Sequence, residues 1–410
     1  NDRPEADVEV TLDGTVVDED GDPDVVFAHV SDLHGQLTPR YQVYYDNPTS
    51  APDLAIPTVE APLAFTTGDA PAHLRRVGAT RAVPEALLPD DAVLRAIVDS
   101  TSEARITATV ARLEAFGTRY VVTDSCLASA RWLVGRFEEL GVYEVRVDTF
   151  RTWTWQDSVE AWNVLAVRRG TTRPDEHVIL GGHYDSVSFE SLSDPLAPAP
   201  GADDNASGVA AVLEAARVLA RYQTERTLVF ACWSAEEEGL WGSRDYVARA
   251  LAGSLDVVLY MNLDAVGYNA AGEPDGIVSG DSLSYAVAAL AADVADDHLG
   301  LDYVPLLQPL GASDQNSFVE AGYPALDTSS NPLYSPYHHS ANDRLEFVDT
   351  AIVREVAAVN AAVLASVALI DGEDPNLPPE TTFVPAGVAL CDTVTVAPTF
   401  RWRGDDFDGS

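Results

Sequence analysis

His177-Val178-Ile179-Leu180-Gly181-Gly182-His183-Tyr184-Asp185 is an apolar run closed by two glycines, an imidazole and a carboxylate. A short unbroken apolar run of this kind is a strand covered on both faces. Such strands build parallel α/β sheets, whose ligand sites lie just beyond the carboxyl ends of the strands. His183 and Asp185 stand at that position. Thr227–Trp233 and Val257–Leu263 read the same way, and are followed by Glu236-Glu237-Glu238 and by Asp264. A further pair, Asp203-Asp204, precedes a helical pattern, and His338-His339 lie in a loop rich in Pro and Tyr.

Outward from this stretch, apolar runs alternate with helical patterns over 86–372. The expected helices are 90–116, 129–140, 205–222, 242–251, 282–298, 313–321 and 350–369. The expected strands are 144–150, 163–168, 177–181, 227–233 and 257–263. Alternation of this kind predicts an α/β domain with a mixed, mostly parallel central sheet flanked by helices. Residues 1–85 read as an acidic extension, β-rich or irregular, of unassigned role. Residues 373–410 begin with the linker-like Asp374-Pro375-Asn376-Leu377-Pro378-Pro379 and continue as the start of a truncated immunoglobulin-like β module. No internal repeat is evident.

The 410 residues carry 65 Asp plus Glu against 25 Lys plus Arg, a formal charge of −40, and every one of those 25 cations is Arg. So anionic a surface repels phosphate backbones and anionic lipid, which argues against a nucleic-acid partner. The longest apolar run, about Val356 to Ile370, contains Asn360 and Ser366 and reads as a buried helix, not a membrane span. Cys126, Cys232 and Cys391 are far apart and form neither a zinc finger nor a disulfide framework. The start at Asn1, with Met261 the sole methionine, is what a trimmed chain that has lost a signal peptide would show, so a secreted, periplasmic or cell-surface setting is expected.

Imidazoles and carboxylates gathered at one sheet edge suit Zn²⁺, which takes N and O ligands. Few imidazoles among many carboxylates also suit a pair of ions roughly 3.5–4 Å apart. Four segments sharpen this. Gly182-His183-Tyr184-Asp185-Ser186, Pro200-Gly201-Ala202-Asp203-Asp204-Asn205-Ala206-Ser207-Gly208, Ala235-Glu236-Glu237-Glu238-Gly239-Leu240-Trp241-Gly242-Ser243 and Met261-Asn262-Leu263-Asp264 occur in this order. Ser313-Asp314, Ala321-Gly322-Tyr323-Pro324-Ala325 and His339-Ser340-Ala341-Asn342-Asp343 follow. Together they resemble the co-catalytic zinc aminopeptidase family, of the secreted bacterial leucyl aminopeptidase type. Glutamate carboxypeptidase, glutaminyl cyclase and the transferrin receptor are related to it. The resemblance spans about residues 90–370.

The resemblance implies the zinc exopeptidase fold and a peptide hydrolase holding two Zn²⁺ per chain. Asp204 would bridge the ions, His183 and Asp264 would hold one, and Glu237 and His339 the other. Glu236 would be the general base, and Asp185 would accept the His183 N–H and fix its tautomer. Peptides would be the substrates, cut to release N-terminal residues. A glutaminyl cyclase, a carboxypeptidase or a metal-free binding relative are the alternatives. Two departures stand out. The family often has His where Gln315 follows Ser313-Asp314, and some members have Tyr where His338 precedes the last ligand. Whether His338 or Tyr337 stabilises an oxyanion is open, as is a ligand role for Asp203 or His338 in place of its neighbour.

Two N-terminal runs invite other readings. Asp18-Glu19-Asp20-Gly21-Asp22-Pro23-Asp24 has the look of a Ca²⁺ loop but lacks the full ligand pattern. Ser31-Asp32-Leu33-His34-Gly35 resembles the first motif of calcineurin-type phosphoesterases, whose later motifs are missing.

Overall fold

The computed structural model describes residues 25–29, 41–45, 91–153, 158–269, 274–307, 312–330 and 334–374. The candidate Ca²⁺ loop, the Ser31–Gly35 run, Cys391 and the immunoglobulin-like tail lie outside these residues. In the N-terminal region, β1 (Val25–His29) and β2 (Tyr41–Tyr45) pair antiparallel.

An eight-stranded sheet forms the body of the α/β region. Its strands are β3 (Glu144–Trp153), β4 (Ser158–Arg168), β5 (Arg173–His183), β7 (Arg226–Trp233), β8 (Asp256–Leu263), β9 (Gly276–Gly280), β10 (Tyr303–Leu306) and β11 (Ala325–Ser329). A short β6 (Tyr222–Thr224) pairs instead with β12 (Ile370–Glu373). The sheet order is β10-β9-β11-β8-β5-β7-β4-β3. β11, β8, β5 and β7 run parallel, while β4 is antiparallel to β7 and β9 antiparallel to β11. β5 therefore lies between the strand that follows it on one side, β7, and the next, β8, on the other. The chain reverses its direction of winding at β5, and the crevice beyond its carboxyl end is where His183 stands.

Both faces of the sheet are covered, which is why its central strands read as unbroken apolar runs. On one face Leu180, Phe230, Met261 and Leu263 meet α4 (Gly208–Leu219) and α8 (Thr350–Ala368). α1 (Asp91–Asp99), α2 (Glu103–Glu114), α3 (Asp124–Glu138) and α6 (Tyr285–Leu299) complete that layer. On the other face Ile179, Val229, Trp233 and Tyr260 pack on α5 (Trp241–Ala252) and α7 (Gln315–Glu320). α8 is buried continuously from Val356 to Ala368. It is long and apolar enough to cross a bilayer, but its bulk is enclosed by protein.

The expected helix 90–116 is two helices. Ser100 and Thr101 turn their hydroxyls back onto the Ala96 and Val98 carbonyls, which ends α1, and Ser102 opens α2. α3 starts earlier than its apolar pattern, because the Thr123 hydroxyl caps it by accepting the Cys126 N–H. α4 starts later than expected, since Ala202–Ser207 first form a wide π-type turn. Cys126 and Cys232 are buried free thiols.

Candidate metal centre

The parallel strands deliver the site directly. His183 is the last residue of β5, Asp264 follows β8, and Glu236-Glu237 lie just past β7. The wide turn before α4 carries Asp204, whose peptide bond to Asn205 is cis. Close strand spacing matters here: a Cβ on Gly182 would lie 2.6 Å from the Leu263 carbonyl oxygen.

Asp204 sits in the middle. Its Oδ1 is 3.2 Å from His183 Nε2, which is also 3.3 Å from Asp264 Oδ1. Its Oδ2 is 3.2 Å from His339 Nε2, which is 2.8 Å from Glu237 Oε2. His338 Nδ1 is 2.9 Å from the same Oδ2. Two sets of potential ligands thus share one carboxylate: His183, Asp204 and Asp264, and Asp204, His338 and His339, each with ligand atoms within 4.8 Å of one another. All five residues expected as metal ligands converge here.

Glu236 Oε2 is 4.0 Å from His183 Nε2, beside the cluster. Asp185 takes a wider part than expected. Its carboxylate accepts the backbone N–H groups of Glu236 and Glu237, at 3.2 and 3.3 Å. His183 Nδ1 meets the Asp185 carbonyl oxygen at 3.2 Å, nearer than the carboxylate at 3.7 Å. Asp203 turns away and accepts the Gly267 N–H at 2.8 Å. Gln315 is buried and accepts from Asn262 at 3.1 Å, so the departure at this position changes packing beneath the site. Tyr337 stacks on Phe347 at 4.0 Å, whereas His338 faces the cluster.

Crowding sets the electrostatics. Burial, then the Glu237 and Asp264 charges working against His183, push the Glu236 carboxyl well above its ordinary range. Burial and Asp204 raise Glu237 to about 7. Burial opposes charging of His183, but Asp264 and Glu236 prevail and hold it well above the ordinary imidazole value. Burial would also raise Asp204, yet His183, His338 and His339 around it hold it well below. Several atoms at the centre are buried without a hydrogen bond: Asp204 Oδ2, Glu237 Oε1, His338 Nδ1 and both oxygens of Asp314. Orphaned carboxylate oxygens at this density are costly unless a cation meets them. The mixed imidazole and carboxylate donors fit zinc.

Two residues of the site had no role assigned from the sequence. Asp343 accepts the backbone N–H groups of Asp203 and Asp204, at 2.8 and 2.9 Å, and so ties the His339 loop to the Asp204 loop. Arg119 is fully buried, and its guanidinium donates to the carbonyls of Tyr184, Leu113, Pro200 and Gly201. The available signals were the four-residue spacing of Asp343 from His339, and a lone cation between the apolar flanks of Phe116 and Tyr120-Val121-Val122.

Comparison with known proteins gives three kinds of likeness. The model of "Peptidase family M28" matches residues 163–364. A probable zinc metalloprotease of Pyrenophora teres f. teres is 29% identical over 337 residues, covering 68% of this chain and 69% of that protein. Leucine aminopeptidase 1 of Ajellomyces capsulatus is 29% identical over 302 residues, covering 69% and 76%. The Legionella pneumophila LapA aminopeptidase structure superposes with a TM-score of 0.58 at 21% identity, over 69% of this chain and 76% of that one, which shows the same fold.

Proposed function

We propose that this chain, whose residues 163–364 match the model of peptidase family M28, is a two-zinc aminopeptidase of that family. It releases N-terminal residues from peptides. One observation supports this reading above the rest: the two oxygens of Asp204 face different imidazoles, His183 and His339. A carboxylate so placed would bridge two ions. His183 and Asp264 would hold one ion, Glu237 and His339 the other. A zinc pair supplies a water of lowered pKa and a polarised scissile carbonyl. The curated leucine aminopeptidase relative favours N-terminal release over the carboxypeptidase and cyclase alternatives.

The chain's own residues do the rest. Glu236 takes the proton of the attacking water and passes it to the leaving amine. Its burial, which disfavours the charged form, suits a group that must hold a proton between those two transfers. Asp185 keeps Glu236 and Glu237 in register by holding both of their amides. The test is metal content together with hydrolysis of an aminoacyl anilide bearing a free amine, with and without chelator. About two zinc per chain and chelator-sensitive release support the reading. Full activity in metal-free protein, or cleavage confined to an N-blocked acidic dipeptide, sinks it. The acidic, lysine-free surface suits a place outside the cytoplasm, and cell fractionation checks that.

Two further outcomes follow. In Asp343→Asn an amide N–H₂ would confront a backbone N–H of the Asp203–Asp204 turn. Zinc affinity is expected to fall about 10–100-fold, the usual effect of losing a residue that orients a ligand. Competition with a chromophoric chelator reads this directly; unchanged affinity would show that the turn holds itself.

Chelated protein is expected to lose stability as pH rises. Burial raises Glu237 and Asp327 to about 7 and Asp203 to about 8. The folded chain therefore keeps protons that the unfolded chain has already released, and stability falls from the ordinary carboxyl range up to these values. His183 and His339, the latter raised to about 11 against the opposing effect of burial by Asp204 and Glu237, act in the same direction. Their contribution is present in acid and lost as pH climbs. Melting with chelator at about pH 5 and about pH 8 should give the lower Tm at the higher pH, with zinc restoring it. A Tm that is flat or rises with pH contradicts this.

A further inference from the structure

We infer that His338 is an additional imidazole ligand at the second cation position, beside His339, Glu237 and Asp204; this rests on the two-zinc reading. His338 Nδ1 and His339 Nε2 approach the same Asp204 oxygen, at 2.9 and 3.2 Å. Donor atoms at about 2.0–2.2 Å from one zinc lie about 2.8–3.6 Å from each other, and both contacts fall in that range. Neither His338 Nδ1 nor Asp204 Oδ2 is in hydrogen-bond geometry, although both are buried. Two potential ligand atoms this close, and outside hydrogen-bond geometry, are placed to meet a common cation.

The ring is also fixed in place. It stacks on His339 at 3.7 Å and has Tyr334 at 4.4 Å. The His338 backbone N–H donates to the Ser335 carbonyl at 3.2 Å, which holds the turn that carries the ring. In extended backbone, consecutive side chains point to opposite sides. The left-handed backbone of His339, at φ 51°, lets these two face the same way. The second position then has two imidazoles and two carboxylates, against one imidazole and two carboxylates at the first. The two ions are bound unequally, and the second is the harder to strip.

Cobalt(II) is the probe, since it replaces zinc and shifts the ring N–H protons of ligating imidazoles far from the rest of the proton spectrum. The cobalt-loaded chain is compared with its His338→Gln and His338→Tyr variants, the second keeping a ring in the stack. Three shifted exchangeable resonances are expected, from His183, His338 and His339, with the variants lacking one of them. Two resonances in the parent chain, unchanged in the variants, overturn the inference. Cobalt stoichiometry is read separately: uptake of a single ion defeats the two-ion reading, while the resonance assigned by His338→Gln still reports whether that ring is bound.

Discussion

Glu236→Gln is expected to lower kcat by about 10²–10⁴-fold, the range for loss of a general acid–base group, while zinc content stays at the parent level. The substitution is nearly isosteric and removes only the carboxylate's ability to accept a proton. The Glu236 carboxylate stands 4.0 Å from His183 Nε2, farther than the 2.8–3.3 Å contacts among the proposed ligands. Its backbone N–H is what Asp185 holds, and that bond survives the change. Turnover of an aminoacyl anilide and metal analysis of the same sample check both halves. Zinc lost in step with activity would make Glu236 a ligand, and near-parental kcat would move the base elsewhere.

Arg119→Met is expected to destabilise the zinc-loaded protein by at least about 3 kcal/mol, the lower end for breaking a buried charged network. A methionine fills similar volume but withdraws a donor from four buried carbonyls; among the described residues those of Tyr184 and Pro200 have no other, while those of Leu113 and Gly201 keep the backbone N–H groups of Phe116 and Ala206. Two of these, on Pro200 and Gly201, lead directly into the Asp203–Asp204 turn. A third, on Tyr184, lies between His183 and Asp185. Burial lowers the guanidinium's proton affinity, while Asp343, Asp185 and Asp204 nearby pull it back up, so this cation also offsets part of the carboxylate charge. Arg119→Lys should rescue little, because one ammonium cannot span the fork that reaches four acceptors. Thermal melts give the answer: about 2–4 °C per kcal/mol predicts a fall of more than about 6 °C. A shift under about 2 °C would mean the carbonyls find other donors.

How much was legible depended on whether a side chain's role was local. The central strands were readable because burial on both faces leaves an unbroken apolar run, as in Val229–Trp233. β9, β10 and β11 were not: Gly276–Gly280, Tyr303–Leu306 and Ala325–Ser329 are short and carry Ser, Pro, Asp and Thr. Asp327 is paired with Asn262 and Ser329, so its polarity is satisfied by partners no periodicity announces. The proposed ligands His183, Glu237 and Asp264 were readable because they follow strand ends, and Asp204 because it lies in a glycine-flanked turn; His339, in a loop, was reached only through the resemblance. Asp343 and Arg119 act across long stretches of chain on backbone groups, which have no sequence of their own. His338 looked like a substitution in a known motif; only the position of its Nδ1 gave it a function.

The continuous burial of α8 has a consequence for how the protein is made. That helix packs on α1, α2, α4 and α6 and on the central strands β5 and β7, all of which precede it. Until residue 368 has left the ribosome, the parts of α4 and of those strands that α8 covers stay open. Synthesis proceeds at about 5–20 residues per second, so a nascent chain carrying His183 spends on the order of ten seconds unable to close its core. The second of the two proposed cation positions cannot be completed early either, because His339 and Asp343 arrive just ahead of α8. Closure of the core and completion of the proposed metal centre are therefore nearly the same event.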